Sequence, residues 1–253
     1  MNFDPTYNPY SLVGKTILIT GASSGIGRAT AIECSKMGAT CIITGRNEER
    51  LNETLSQMAG EGHQIVVADM ARENDINALV TSLPKLDGLV NNAGYQEFAP
   101  VSFIKKEKIE SIFAVNTIAP IILTQKILKT KKINRASSVV FVSSLAGIGL
   151  TSPGNAMYAA SKGAISSFIH AAALELAGKK IRVNAVCPGM VDTNIMADSA
   201  VSNDDLQKDM QNYPLGRYGK PVEIAHSIIY FLSDASAWVT GTNMIIDGGV
   251  SLK

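Results

Sequence analysis

Tyr158 and Lys162 stand four positions apart in the stretch YAASK, a spacing that puts two side chains on one face of a helix. A phenol beside an ammonium can serve as an acid tuned by its neighbour. A free phenol titrates near pH ~10, too high to make a good base near neutrality. An adjacent positive charge favours the phenolate and lowers that value. The chain has seven tyrosines, so one Tyr-x-x-x-Lys spacing proves little alone. Its weight comes from company. Fourteen residues before Tyr158 the apolar run SVVFVS ends in Ser143 and Ser144, and far upstream TGASSGIGRAT sets Gly21, Gly25 and Gly27 in one short turn.

Such groups must be held by a scaffold, and the rest of the sequence supplies one. Short apolar runs at 15–20, 40–44, 64–68, 88–90, 138–143, 181–186 and 243–247 read as strands. Their brevity and β-branched content suit strands buried on both faces. Helical stretches lie near 25–38, 47–59, 73–82, 105–129, 155–177 and 221–233. This alternation predicts an α/β fold, one doubly wound domain with a mostly parallel seven-stranded sheet and helices on both faces. Residues 1–13 read as an N-terminal arm and 14–253 as the domain. Ligands of such sheets bind beyond the carboxyl ends of the strands, where the unusual residues of this sequence fall.

The glycine turn follows the first strand. Without Cβ atoms, backbone N–H groups can approach a pyrophosphate, and the N-terminus of the next helix favours its charge. Gly21, Ser23, Ser24, Gly25, Ile26 and Gly27 are the candidates, although the GxxxGxG spacing departs from the GxGxxG fingerprint. After the second strand come Arg46 and Asn47, with no acidic residue to accept from the adenosine ribose of NAD. An Arg can pair with the 2′-phosphate instead, so the sequence favours NADP(H) over NAD(H). Asp69 and Met70 after the third strand are candidates at the adenine, and Asn92, Ala93 and Gly94 after the fourth allow close approach to a ribose. Each of these is also ordinary turn chemistry when taken alone.

In order along the chain, TGASSGIG, NNAG, a serine ending strand five and YAASK stand at strand ends. With CPGMVDT (187–193), PLGRYGKPVEIA (214–225) and TGTNMIIDGG (240–249), the chain strongly resembles the short-chain dehydrogenase/reductase family over residues 14–250. The branch it looks most like contains 3-oxoacyl-(acyl carrier protein) reductases and many ketone reductases. The resemblance implies a Rossmann-type domain and an enzyme moving a hydride between nicotinamide and a carbonyl or secondary alcohol. It makes Tyr158 the acid, Lys162 the tuning group and the holder of the nicotinamide ribose, and Ser144, rather than Ser143, the group on the carbonyl oxygen. It makes Asn116 the anchor of a water leading to Lys162, and it puts Pro188, Gly189, Val191 and Thr193 over the nicotinamide.

Physical reasoning extends the Asn116 assignment. Pro120 has no N–H, so the Asn116 carbonyl loses its helical partner and can accept from a water; a kink is expected there. The segment near 190–215 lacks sheet-helix periodicity and is expected to be a substrate lid. Leu145, Ala146, Ile148, Met190, Ile195 and Met196, with Tyr95, Gln96 and Phe98, are candidate pocket walls.

Composition bounds the partners. Hydrophobic residues make up 46% and charged residues 18% of 253, enough for a sizeable core. A balance of 23 basic and 22 acidic residues gives no strong pull toward nucleic acid or membrane. Three cysteines without metal spacing, and no signal-peptide pattern in MNFDPTYNPY, fit a reducing cytoplasm and no metal site. Lys131, Lys132, Arg135, Lys179 and Lys180 could receive an acidic acyl carrier protein, or simply complement helix dipoles. The helix after YAASK is apolar or small around much of its circumference, so a homo-oligomer, dimer or tetramer, is expected. The substrate is then a small or thioester-linked carbonyl. The alternatives are a dinucleotide-binding sensor without catalysis, against which the intact Ser144, Tyr158, Lys162 and Asn116 set count, and a dehydratase or epimerase, for which the chain is short.

Overall fold

The computed structural model describes residues 7–193 and 203–253, with the side chains of 203–206 left aside. Seven strands form one sheet: β1 (Thr16–Thr20), β2 (Thr40–Gly45), β3 (Gln64–Val67), β4 (Leu86–Asn91), β5 (Ile133–Val142), β6 (Arg182–Pro188) and β7 (Asn243–Ile246). The order is β3-β2-β1-β4-β5-β6-β7, and every neighbouring pair is parallel. The chain reverses its direction of travel across the sheet between β1 and β4, which opens the crevice where doubly wound sheets take ligands.

The helices are α1 (Gly25–Lys36), α2 (Glu48–Leu55), α3 (Glu73–Ser82), α4 (Lys106–Phe113), α5 (Ala119–Lys129), α6 (Ala156–Leu176), α7 (Asn203–Met210) and α8 (Pro221–Leu232). Strand side chains alternate between the faces. Ile17, Ile19, Ile43, Val90 and Val140 pack with Ile224, Ile228 and Phe231 of α8. Leu18, Leu89, Val139 and Phe141 pack with Leu123 and Ile127 of α5 and Ile165 and Ile169 of α6. The sheet is therefore the middle of three layers, buried on both sides as its β-branched runs predict.

Three departures from the sequence reading have local causes. β5 starts at Ile133, five residues before the predicted 138, because Ile133 still pairs with Leu86; Ala136 beyond it takes a left-handed φ of 59° and the β4–β5 register shifts between Leu86 and Gly88. The helix read over 105–129 is interrupted by a π turn at Ala114–Ile118, in which the Ala119 N–H bonds the Ala114 carbonyl five residues back. α7 falls inside the expected lid, where only Leu206 and Met210 recur at helical spacing. Residues 194–202 of that lid, including Ile195 and Met196, lie outside the described residues.

The segment before β1 joins the domain from Tyr7 onward. The Leu12 N–H bonds the Met37 carbonyl at 2.9 Å, the Pro9 carbonyl accepts from Ala235 N–H at 3.0 Å, and Leu12 is fully buried. Lys106–Lys129 is long and apolar enough in composition to cross a bilayer. Its buried residues Leu123 and Ile127 instead cover the sheet.

The tightest point is the glycine turn. A Cβ on Gly27 would lie 2.2 Å from the Gly21 carbonyl oxygen and 2.4 Å from Asn92 Nδ2, so backbone and a committed side chain block it. Gly27→Ala is expected to destabilise the fold by roughly 3 kcal/mol, the upper range for overpacking. Gly178→Ala, with open space and no left-handed φ, should be near neutral. Urea denaturation of both variants checks this; equal midpoints would refute the packing argument.

Candidate active site

The carboxyl ends of β1, β4, β5 and β6 converge with the start of α6. Asn92 ties two of them together: its Nδ2 donates to the Thr20 carbonyl at 2.9 Å, and the Thr20 hydroxyl accepts from the N–H groups of Asn92 and Ala93, each at 3.0 Å. Asn92 thus braces the glycine turn. Gly21 and Gly25 take φ values of 67° and 54°, where a side chain would be strained. Ser24 at the start of α1 makes no side-chain cap, and no acidic residue stands in the first turn. The first N–H groups of α1 therefore lack helical partners and sit beside a turn without Cβ atoms. That is a cradle for an anion, and it fits a dinucleotide's pyrophosphate. Thr193 crosses it, its methyl 3.4 Å from where a Cβ on Gly25 would stand.

The other cofactor candidates are dispersed around this turn. Arg46 is exposed and forms no ion pair among the described residues. Asn47 caps α2, its Oδ1 accepting from Arg50 N–H at 2.9 Å. Ser23 and Ile26 stay in the turn, where the Ser23 carbonyl accepts from Arg28 Nη2 at 2.8 Å and Ile26 packs on the core. Asp69 accepts from Ala71 N–H at 2.9 Å, and Met70 is core. Pro188 ends β6, Gly189 N–H bonds the Ile246 carbonyl, and Val191 pairs with Gly219.

Lys162, 5% exposed, donates from Nζ to the Val142 carbonyl at 2.8 Å. The same Nζ stands 5.8 Å from the centre of the Tyr158 ring. Ser144 is hydrogen-bonded to Tyr158 and accepts from Ala146 N–H at 3.2 Å. Ser143 is used elsewhere: its hydroxyl bonds the Lys162 carbonyl at 3.1 Å and pairs with Ser166 at 2.8 Å. Of the two serines, Ser144 is the one beside the phenol.

Asn116 closes the group. From the π turn its Oδ1 accepts from Tyr95 N–H at 3.0 Å, while Nδ2 donates to the Tyr95 carbonyl at 2.9 Å and to the Ser161 hydroxyl at 3.1 Å. The helical irregularity expected at Asn116 and Pro120 takes the form of this turn, with Pro120 in the first turn of α5. Ser161, between Tyr158 and Lys162, is fully buried and also donates to the Tyr158 carbonyl at 2.8 Å. A Cβ on Gly94 would meet Asn116 Oδ1 at 3.0 Å and Lys162 Nζ at 3.3 Å, so NNAG lies against the same ammonium.

A family model described as enoyl-(acyl carrier protein) reductase matches residues 21–251. This chain is a short-chain dehydrogenase/reductase. Members of the family are oxidoreductases acting on alcohol and ketone groups with NAD(P), and that class of chemistry is this chain's. A glucose 1-dehydrogenase of Gluconobacter oxydans is 34% identical over 96% of this chain and 95% of its own length. A 3-oxoacyl-[acyl-carrier-protein] reductase of Thermotoga maritima is 36% identical over 94% and 98%. Among solved structures, a putative NAD(P)-dependent gluconate 5-dehydrogenase from Beutenbergia cavernae with bound NADP superposes with a TM-score of 0.88 at 29% identity, covering 97% of this chain and all of the other.

In this dehydrogenase/reductase the electrostatics differ from the sequence expectation in one respect. The lysine was expected to lower the Tyr158 pKa; the protein's own groups raise it above 10. Burial is the main cause, the Ser144 hydrogen bond offsets only part of it, and Cys187 behind the site adds to the rise. Lys162 is not among the causes of this shift; its Nζ stands 5.8 Å from the ring centre. Burial also brings Lys162 down to about 8. Cys187, one of the three cysteines without metal spacing, is itself pushed up to about 11 by burial and stays a thiol.

The Lys162 shift has a stability consequence. An exposed lysine titrates near ~10.4, so between about 8 and that pH the unfolded chain holds a proton that the folded chain has lost. Raising the pH through this window favours the fold. The urea midpoint of the protein relative to Lys162→Met is expected to rise from pH 8 to pH 10. A difference that stays flat across that range would refute desolvation of the ammonium.

Proposed function

We propose that this enzyme reduces a ketone to a secondary alcohol with NADPH, or runs the reverse oxidation, and that Ser144, Tyr158, Lys162 and Asn116 carry the proton chemistry. The observation behind this is the phenol held between the Ser144 hydroxyl and the buried Lys162 ammonium. When bound, the nicotinamide supplies or takes the hydride. Ser144 would hold the substrate oxygen, and Tyr158, protonated because burial raises its pKa, would donate its proton to that oxygen as the alcohol forms. Lys162 would hold the ribose hydroxyls, and the Asn116 carbonyl would anchor a water that returns the proton.

The glycine turn with Ser24 and Thr193 would hold the pyrophosphate, Asp69 the adenine, Asn92 to Gly94 the ribose, and Pro188, Gly189, Val191 and Thr193 the nicotinamide face. Arg46, exposed and without an acidic partner, supports NADP(H) over NAD(H), because a 2′-phosphate would give it a charge-assisted partner. A cytoplasmic site of action and a homo-oligomer belong to the same reading. The oligomer is supported by Leu174 on α6 and Trp238 before β7, both apolar and open to solvent.

A carrier-bound 3-oxoacyl thioester is the second reading, favoured by relatives of that name. The basic residues expected to receive the carrier cluster at the amino ends of β5 and β6, where Arg135 Nη2 reaches the Gly178 carbonyl. The reacting groups stand at the opposite edge, roughly 20 Å away along a seven-residue strand. A carrier docked there would serve a neighbouring subunit's site and not its own. Lys132 is occupied in any case, donating to the carbonyls of Thr81 and Leu83 at the end of α3.

Replacing Tyr158 by Phe is expected to lower kcat by ~10² or more, the usual worth of a positioned acid, with NADPH affinity unchanged in fluorescence titration. Full turnover in that variant would remove the proposed acid. Arg46→Asp should raise the Kd for NADPH by about tenfold, the loss of one charge-assisted contact, and leave NADH within twofold; parallel losses for both would sink the 2′-phosphate argument.

A further inference from the structure

Asn155 begins α6 three residues before Tyr158, so Asn155, Tyr158 and Lys162 lie along one stripe of that helix. An asparagine in this position ordinarily caps the helix with its own side chain. Here it makes no cap. Its Oδ1 accepts instead from Gln96 Nε2 at 2.9 Å, across 59 residues of sequence. Gln96 stands two residues after Gly94, the glycine that lies against Lys162 and Asn116. The loop is fastened to the start of α6 by Ala99 N–H bonding the Gly154 carbonyl at 2.8 Å.

The neighbouring polar side chains are committed elsewhere. The Tyr95 hydroxyl donates to Ser111 at 2.9 Å, and Glu97 pairs with Lys108 at 2.7 Å. The amide pair is left with unused capacity. Asn155 is only 5% exposed, yet its Nδ2 has no protein acceptor, and Gln96 Oε1 has no protein donor, among the described residues. Both N–H groups of Asn155, the second N–H of Gln96 and the Gln96 carbonyl remain for a ligand, and turning both amides over keeps donors and an acceptor available. A hydroxyl group, donor and acceptor at once, satisfies one of each. The ester-type carbonyl of a 3-oxoacyl thioester satisfies only a donor, and an alkyl chain satisfies neither.

We propose that the Gln96–Asn155 pair is a specificity-determining site that binds a hydroxyl one to three carbons from the reacting carbon. It selects polyhydroxylated substrates of the polyol or sugar-acid class over acyl thioesters. The inference rests on the carbonyl–alcohol reading above and names the substrate class for it. The placement agrees: Asn155 and Tyr158 lie about one turn apart on the same helix stripe, about 4.5 Å of rise, within the span of oxygens two or three carbons apart. A polar pair from which a bound substrate displaces water without replacing its hydrogen bonds discriminates strongly between substrates.

The test uses the full-length enzyme with NADP⁺ and a pair of alcohols differing by one hydroxyl, 1,2-cyclohexanediol and cyclohexanol, with D-gluconate as a third substrate. The wild type is expected to prefer the diol by ~10² in kcat/KM. Gln96→Met should bring the ratio down to within threefold of unity by lowering the diol value alone, and Gln96→Glu, which restores an acceptor, should recover at least a tenth of it. NADP⁺ affinity should not change in either variant, and the diol should raise the Tm of the NADP⁺-loaded wild type but not of Gln96→Met. Oxidation of both alcohols at equal efficiency, or an equal loss on both in Gln96→Met, overturns the inference and leaves the parent reading standing. Failure to turn over any of the three alcohols, or the corresponding ketones with NADPH, removes the parent reading and this inference with it.

Discussion

A buried ammonium organises this site. Lys162 needs acceptors in a place with almost no water, and an uncompensated charge there would be costly. The Val142 carbonyl at the end of β5 is the acceptor the protein provides. Around it, Ser143 fixes the Lys162 backbone, Asn116 and Ser161 fix the turn of α6 beside it, and Gly94 lets the β4 loop come up against it. The hydrogen bonds at the carboxyl edge of the sheet read as a frame holding one charge in position. The remaining donor capacity of Nζ is what makes the lysine useful to a ligand bearing hydroxyls.

The same burial sets the character of the phenol. In an open site a nearby cation would dominate, and the tyrosine would lean toward phenolate. Here desolvation is the larger effect on both members of the pair. It favours the protonated form of Tyr158, and it weakens the hold of Lys162 on its own proton. Two groups that look complementary on paper are each moved toward neutrality by the low dielectric they share.

Much of this was legible in the sequence because the relevant constraints are local. Tyr158 and Lys162 are tied by helix period, the glycine turn by its own sterics, and the strands by β-branched runs buried on both faces. The order of motifs at strand ends then located the site. What escaped reading joins residues far apart. Nothing in the sequence links Asn116 to Ser161, 45 residues away, or Gln96 to Asn155, 59 away, since an amide carries no sign of its partner. The extension of β5 was hidden because residues 134–137 fall in a register shift between the paired Ile133 and Ser138. The rise in the Tyr158 pKa was hidden because burial of a half-apolar helix face depends on what covers it.

The π turn at Ala114–Ile118 bears on how this region can change over evolutionary time. It holds one residue more than an α-helical turn would, and that surplus points the Asn116 amide at Tyr95 while α5 keeps Leu123 and Ile127 on the sheet. Removing a single residue would restore a regular helix and leave the phase of α5 nearly unchanged, because the bulge takes up about one residue's worth of rotation. The surplus residue is therefore dispensable to the packing of α5 and matters for where Asn116 points. What inheritance must preserve here is the bulge, for the sake of one amide.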